Sequence, residues 1–156
     1  MYLDERSEFA DDVTIPTPIA RALLGDVIDL GGAAFNPVVP GDVGQGKTPM
    51  YLVVQITTAV TSAGAATVAF ELSSDAQAAI AVDGTATIHY STAAIPKATL
   101  VVGYVAATVA LPMQTPAYER YLGIIANVAT AALTAGKANA FLTLDPAKWS
   151  AYPDTI

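Results

Sequence analysis

The chain has 156 residues, of which 53% are hydrophobic and only 13% charged, with a formal net charge of −7 and no cysteine. This length supplies a single domain, residues 1–156, with one core. The acidic balance argues against a nucleic-acid-binding protein, which needs Lys and Arg to displace counterions from phosphates, and the absence of cysteine excludes disulfides and thiolate metal sites.

Residues 1–25 are predicted to form an acidic N-terminal arm that contains the first strand. The opening letters, MYLDERSEFADD, are acidic where an export signal would be basic and then apolar, so we expect no export signal. The plainer interpretation of these acids is a solvated segment, and the functional one is an arm that docks on a basic partner. The candidate interface residues in this arm are Asp4, Glu5, Glu8, Asp11 and Asp12.

Two short segments have the features of helices. Thr17-Pro18 before IARALL and Gly25 combines a capping residue, a proline in the first turn and a terminal glycine. Residues 74–82, SDAQAAIAV, offer another turn or two of alanine-rich helix. Neither carries a long stripe with 3.6-residue spacing, so helix is a minor part of the predicted fold.

The stretch GDVGQGKTP, within a long Gly- and Pro-rich loop at 31–49, spells the phosphate-binding pattern G-x-x-x-x-G-K-[ST]. A phosphate-binding loop follows a buried strand and leads directly into a helix whose amides hold the phosphates. Here the preceding NPVVP is broken by prolines, and the following MYLVVQITTAV alternates as a strand does. We therefore interpret Gly41, Gly46, Lys47 and Thr48 as a chance match and expect no nucleotide.

Alternation with a period of two is the recurring signal in the rest of the chain. It runs through five stretches: MYLVVQITTAV, TVAFELSS, TATIHY, YLGIIANV and NAFLTLD. In TATIHY the alternation assigns Ala86, Ile88 and Tyr90 to one face. Asp83-Gly84 is the strongest hairpin candidate, because a type I′ turn needs positive φ at both central positions. These strands predict an all-β fold, an antiparallel β-sandwich or jelly roll with an extended N-terminal segment.

The longest nearly uncharged apolar run covers residues 98–113. It is too short to span a bilayer, and its Val and Thr content with Gly103 and Pro112 predicts strand, turn and strand. We therefore expect no membrane association.

Residues able to carry catalysis or bind metal are few. The one histidine, His89, would need Asp75 or Asp83 for a triad, and no serine near it is flanked as a nucleophile elbow. A single histidine leaves no multi-histidine metal site, and the N-terminal acids lack the spacing of a calcium-binding loop. Paired carboxylates stay open as an alternative, with Glu71 and Asp75 nearest a core strand. We expect no catalytic residue, no metal and no cofactor.

The most distinctive stretch is PAYERYLGII, residues 116–125. Its Tyr118, Glu119, Arg120 and Tyr121 place two phenols and an ion pair at the start of a strand. One interpretation is a corner in which the tyrosine hydroxyls bond nearby backbone. The functional interpretation is an interface anchor, since Tyr and Arg are over-represented among residues that carry binding energy.

An ordered set of motifs resembles a known family. The motifs are MYLDERSEFADD, VIDLGG at 27–32, LVVQI at 52–56, YERYLGI at 118–124 and LTAGKANAFLTLD at 133–145. Together they resemble the capsid cement proteins, also called decoration proteins, of tailed and mostly short-tailed bacteriophages. The chain departs from the family pattern in its proline-rich residues 15–18 and in the long loop at 31–49.

The resemblance implies a jelly roll on the outer surface of the virion head, without catalysis or cofactor. The implied partners are the major capsid protein and further copies of the chain, as a homodimer or homotrimer on lattice symmetry axes. The protein would be made in the host cytoplasm. The rival hypothesis is a carbohydrate- or receptor-binding β module of a virion fibre, although Trp149 and seven scattered tyrosines predict no concave aromatic site. An enzyme is the third hypothesis.

Overall fold

Two antiparallel sheets face each other in the computed structural model, which describes residues 7–31, 49–111 and 116–146. The described residues form ten strands and no α-helix. In chain order the strands are β1 Glu8–Thr14, β2 Arg21–Leu23, β3 Ile28–Asp29, β4 Tyr51–Thr61, β5 Thr67–Asp75, β6 Thr87–Ser91, β7 Ile95–Pro96, β8 Val105–Ala110, β9 Tyr121–Ala129 and β10 Ala135–Thr143.

The chain crosses repeatedly between the two sheets. The first sheet has the order β1-β10-β4-β8, and the second has the order β2-β9-β5-β6, with β3 also paired to β9 and β7 to β5. Neighbouring strands are therefore mostly far apart in sequence, which is the Greek-key arrangement of a jelly roll. The predicted all-β antiparallel sandwich is confirmed.

The core lies between the sheets and is made by the alternating positions of the long strands. Leu52, Val54 and Ile56 of β4 are fully buried against the inward residues of the second sheet. Their alternation was visible in the sequence, because successive side chains of a strand point to opposite faces. The same pattern fills the core from β5 and β9, with Val68, Phe70, Leu72, Leu122, Ile124, Ala126 and Val128.

The outer face of the second sheet is covered by the connection between β5 and β6. Ile80 and Ala86 of this connection are buried against Ile125 of β9 and form a second, smaller apolar cluster. The alternation in TATIHY is therefore misleading about the core. Ala86 belongs to the outer cluster, and Ile88 is exposed instead of facing inward.

Both short helices predicted from the sequence are wrong. The segment IARALL contains β2, whose Ala22 pairs with Ala126 of β9. Residues 74 and 75 end β5, and the rest of SDAQAAIAV forms bends. In IARALL, the pairing of β2 with the long strand β9 outweighed the weak local propensity for helix. In SDAQAAIAV, the Asp75 carboxylate accepts the N–H groups of Gln77 and Ala81, which holds this stretch in a non-helical turn.

The Asp83-Gly84 turn is also different from the prediction. Gly84 has a φ of +98°, but Asp83 is not among the residues with positive φ, so the turn is not type I′. The Asp83 carboxylate instead accepts hydrogen bonds from the N–H of Thr85 at 3.0 Å and from its hydroxyl at 2.6 Å. This local turn lies inside the long β5–β6 connection.

The phosphate-loop match, Gly41, Gly46, Lys47 and Thr48, lies outside the described residues. The chain that follows it is described and forms β4, beginning at Tyr51. A strand therefore stands where a phosphate-binding loop needs a helix.

Candidate interface surfaces

Tyr118 lies in the protein's own core. Its side chain is 6% exposed and joins the main apolar cluster. The ring centroids of Tyr118 and His89 are 4.1 Å apart, with an angle of 34° between the planes. Burial raises the pKa of Tyr118 to about 12. The sequence left Tyr118 as either a structural corner residue or an interface anchor. Burial of its ring in the main apolar cluster favours the structural role.

Polar contacts around this ring fasten residues 116–119 to the second sheet. The N–H of Glu119 donates to Ser74 Oγ at 3.0 Å, and its carboxylate accepts from Thr87 Oγ1 at 2.7 Å. Ser74 Oγ is also 2.7 Å from His89 Nε2. We call Ser74, Thr87, His89, Tyr118 and Glu119 the His89 cluster. Its members come from β5, β6 and the residues just before β9. These segments are far apart in the sequence, and no sequence pattern predicted that they would be in contact.

The serine–histidine contact in the His89 cluster is partly buried, with Ser74 on the inner side and a half-buried His89. Ser74 is fully buried, and its oxygen already accepts the Glu119 N–H. A catalytic serine has to be reached by its substrate. Burial lowers the pKa of His89, against the opposing effects of Glu119 and the Pro116 carbonyl. This geometry favours a neutral imidazole that holds the segment in place.

Arg120 is exposed and Tyr121 is half-buried in the outer part of the same segment. Arg120 donates from Nε and Nη2 to the two oxygens of Asp29, at 3.0 and 2.9 Å. Its guanidinium lies 4.9 Å from the centre of the Tyr121 ring. The hydrogen bonds from Arg120 lower the pKa of Asp29 and raise that of Arg120. The Asp29 carboxylate and the Tyr121 ring therefore position the guanidinium at the surface.

The acidic residues of the N-terminal arm divide into two groups. Asp4 and Glu5 lie outside the described residues, whereas Glu8, Asp11 and Asp12 lie on β1. Glu8 and Asp11, with Asp26, line an open cleft of about 410 Å³ beside this strand. The cleft carries three carboxylates and is suited to positively charged groups.

Asp12 is engaged within the molecule. Its carboxylate lies 2.5 Å from Lys137 Nζ and accepts from Thr57 Oγ1 at 2.6 Å, and its N–H donates to Asn139 at 2.6 Å. The hydrogen bond from Lys137 is the main cause that lowers the pKa of Asp12. These contacts hold a bulge of β1 in which Asp12 has a φ of +50°.

The carboxylates that the sequence left open for acid–base chemistry are both occupied. Glu71 pairs with Arg21 at 2.5 Å, largely buried, and accepts from Asn127 at 3.4 Å. Asp75 accepts backbone N–H bonds from Gln77 and Ala81, which lower its pKa. Each carboxylate has a structural partner on the outer face of the second sheet or in the connection that covers it.

Residues 7–31, 49–111 and 116–146 contain neither a cluster of metal-ligating side chains nor a membrane-spanning helix. Within these ranges no three His, Asp or Glu side chains converge as metal ligands would. The same ranges include no helix with the length and apolar character that crossing a membrane requires.

The comparisons with known proteins give one family. No curated protein matches the chain. The model of the Bbp16 family matches residues 15–142, a span that begins directly after β1, stops one residue before the end of β10 and therefore includes most of the sandwich. The chain thus belongs to the Bbp16 family, which is associated with bacteriophages.

Proposed function

We propose that this protein is a phage capsid cement protein, which binds the outer surface of the major capsid protein lattice and stabilises the head by bridging subunits. The observation that carries the proposal is the match of a phage-associated family along the jelly roll, residues 15–142. Four of the five motifs that resemble cement proteins, VIDLGG, LVVQI, YERYLGI and LTAGKANAFLTLD, begin within this span. The proposal assigns no catalysis and no cofactor.

The fold suits a rigid clamp. The main core joins both sheets, and the β5–β6 connection seals the outer face of the second sheet. A rigid body loses little conformational entropy when it docks, so more of the contact energy appears as affinity. A surface with few charges also costs little to desolvate.

Stabilisation of the head then follows from mass action. A ligand that binds only the assembled lattice stabilises it by RT ln(1 + [L]/Kd) per site, about 2.7 kcal/mol at a hundredfold excess over Kd. A protein that bridges neighbouring subunits adds a gain in effective concentration without tighter single contacts. Because this stabilisation is repeated at every site of the lattice, the whole head becomes more resistant to heat and to the pressure of packaged DNA.

Arg120 and Tyr121 are the proposed anchors within the PAYERY segment. The Asp29 carboxylate and the Tyr121 ring hold the Arg120 guanidinium in position before any partner arrives. Such preorganisation reduces the entropy lost on binding. The acidic groups Asp4, Glu5, Glu8 and Asp11 are the proposed electrostatic contact with basic patches on the shell.

The proposal places the protein on the outside of the virion head, after synthesis in the host cytoplasm. Its partners are the major capsid protein and further copies of this chain. No nucleic acid and no membrane takes part.

Reconstitution on heads tests the proposal. Heads that lack the protein should bind it on mixing, sediment with it, and release their DNA at a higher temperature than bare heads. An equal amount of bovine serum albumin serves as the control for trapping in the pellet. Immunogold labelling of intact virions should mark the head. Label confined to tail or fibres, or protein left in the supernatant, would favour the receptor- or carbohydrate-binding alternative.

A further inference from the structure

The four sheet edges of the sandwich differ in how they are protected against pairing with another strand. β1 carries acids and two register shifts, and β6 has a register shift in its middle. The edge formed by β2 and β3 consists of short strands with charged residues. Charges, bulges and short length are the devices by which proteins block sheet edges.

β8 has none of these devices along most of its length. Its sequence, VAATVA, contains no charge, proline or glycine. It pairs with β4 in one unbroken register from Ala107 to Ala110, and its only register shift lies at its first residues. Among the described residues, no strand pairs with its other side. Within residues 7–31, 49–111 and 116–146, β8 is therefore an open edge.

The register shows which backbone groups of β8 are free. The N–H of Leu111 donates to the Met50 carbonyl at 2.8 Å, and the pairs Leu52–Val109 and Val54–Ala107 continue the same register. Hydrogen-bonded and non-bonded residues alternate along an antiparallel pair. The N–H and C=O groups of Thr108 and Ala110 therefore point away from β4.

The segment that forms this edge and the turn before it are apolar and contain no acid. Val101, Val102 and Val105, in the turn before β8 and at its start, are 52%, 64% and 38% exposed. No Asp or Glu occurs between Gly84 and Pro116, in a chain whose net charge is −7. Two copies of such a chain repel each other, and an edge strand without acids adds nothing to that repulsion.

We propose that β8 pairs antiparallel with β8 of a second copy about a two-fold axis at Thr108. Thr108 then lies opposite Thr108 of the partner subunit, and Ala110 lies opposite the partner's Ala106. The two first sheets join into one continuous sheet of eight strands. A two-fold contact requires a self-complementary surface, and an uncharged strand with Thr–Thr at its centre is one.

Charge selects a second copy over a strand of another protein. A basic partner is attracted to the acids of β1 and of the cleft beside it. The uncharged β8 edge provides no such electrostatic attraction. Pairing through β8 is one form of the self-association included in the proposed function. It rests on that function only for the place of the dimer, which is the phage head. Its test uses the free protein, so the two can fail separately.

A single cysteine reports the predicted contact directly, because the natural chain has none. Thr108→Cys should form a disulfide-linked dimer under mild oxidation, since residues opposite each other in antiparallel strands have Cα atoms at a distance that disulfides accept. Ser91→Cys, exposed on the β6 edge of the second sheet, is the matched control and should stay largely monomeric. Equal dimer yields from the two variants would overturn the assignment.

Proline provides the converse test. Thr108→Pro removes an outward N–H and leaves the bonds to β4 in place, so the variant should fold and lose the dimer that the wild type forms at micromolar concentration. Thr108→Lys changes an exposed side chain and blocks the edge without altering the backbone. This variant tests the dimer contact if the proline variant fails to fold. Sedimentation velocity measures the mass. A monomeric wild type, or a dimer that survives Thr108→Lys, contradicts the proposal, and head binding by a monomeric variant leaves the cement function standing.

Discussion

At the scale of single residues, Gly25 marks a close approach of two parts of the backbone. Its φ is +74°, and a Cβ at this position would lie 2.0 Å from the carbonyl oxygen of Phe9. The same oxygen accepts the N–H of Asp26 at 2.7 Å. The glycine therefore allows the chain after β2 to pass close to the backbone of β1. Gly25, which the sequence suggested as a helix end, is needed for this contact instead.

Replacing Gly25 with alanine should lower the free energy of unfolding by about 3 kcal/mol or more, because left-handed strain of about 1–3 kcal/mol adds to a clash with backbone. Gly103→Ala is the matched control. Gly103 has a φ of +82° but no atom within 4 Å of an added Cβ, so it should lose only the strain, about 1–2 kcal/mol. Urea unfolding of both variants measures the difference. Equal losses would contradict the close approach at Gly25.

His89 should make the protein less stable as the pH falls through the weakly acidic range. Burial lowers the pKa of His89 below 6.5 in the folded state. Its contribution to the free energy of unfolding is therefore complete above pH 6.5 and is lost as the pH falls through the folded pKa. Glu119 opposes this shift, and the Tyr118 ring covers the imidazole. The carboxyls with lowered pKa, such as Asp12 and Asp29, lose their contributions only below their ordinary 3.8.

The measurement is the unfolding midpoint in urea between pH 7.5 and pH 5, for the wild type and for His89→Gln. Gln offers an oxygen in place of Nε2 and does not titrate, so its curve should be flatter than that of the wild type over this range. A pH dependence that is the same in both proteins would remove His89 as the cause.

At the scale of elements, residues 116–121 have an inner and an outer half. Tyr118→Ala should lower the free energy of unfolding by about 3–5 kcal/mol, the usual cost of deleting a buried aromatic ring. Arg120→Ala should change stability far less, because its ion pair with Asp29 is partly exposed to water. Thermal unfolding separates the two.

Head binding then tests the outer half of this segment. Arg120→Ala should stay folded and lose affinity for heads, by tenfold or more if the guanidinium is an anchor. Arg120→Lys keeps the charge but not the two-pronged bond to Asp29, and an intermediate loss is expected. If Arg120→Ala binds heads as the wild type does, the anchor lies elsewhere.

The sequence predicted the elements that local pattern determines and missed those that depend on distant neighbours. Alternation located β4, β5 and β9, because their inward residues are apolar whatever lies opposite. β2 was missed since only its pairing with β9 makes IARALL a strand. The burial of Tyr118 and the contact between Ser74 and His89 were equally out of reach, because they join residues far apart in the chain.

At the scale of the whole molecule, charge is distributed unevenly over the sandwich. Acids crowd β1 and its cleft, whereas β8 and the turn before it have none. These strands form the two opposite edges of the first sheet. The arrangement separates the two kinds of contact that we propose, with electrostatic attraction to the shell at one edge and self-pairing at the other.

Neutralising the acids that are proposed to face the shell should weaken head binding, most strongly at low salt. The variant carries Asp4→Asn, Glu5→Gln, Glu8→Gln and Asp11→Asn. Its association rate should fall while its dissociation rate changes little, because charges outside a desolvated contact mainly steer encounter. The difference from the wild type should shrink as salt screens these charges, over a Debye length of about 8 Å at 0.15 M.

Asp12→Asn is the control for this experiment. Its carboxylate bonds Lys137 and Thr57 within the molecule, so its removal should lower stability and leave the rate of head association almost unchanged. Surface plasmon resonance on immobilised heads, at two salt concentrations, measures both rates. Association rates that match the wild type in the fourfold variant would show that the acidic edge does not face the shell, and the search for the contact would move to Arg120 and Tyr121.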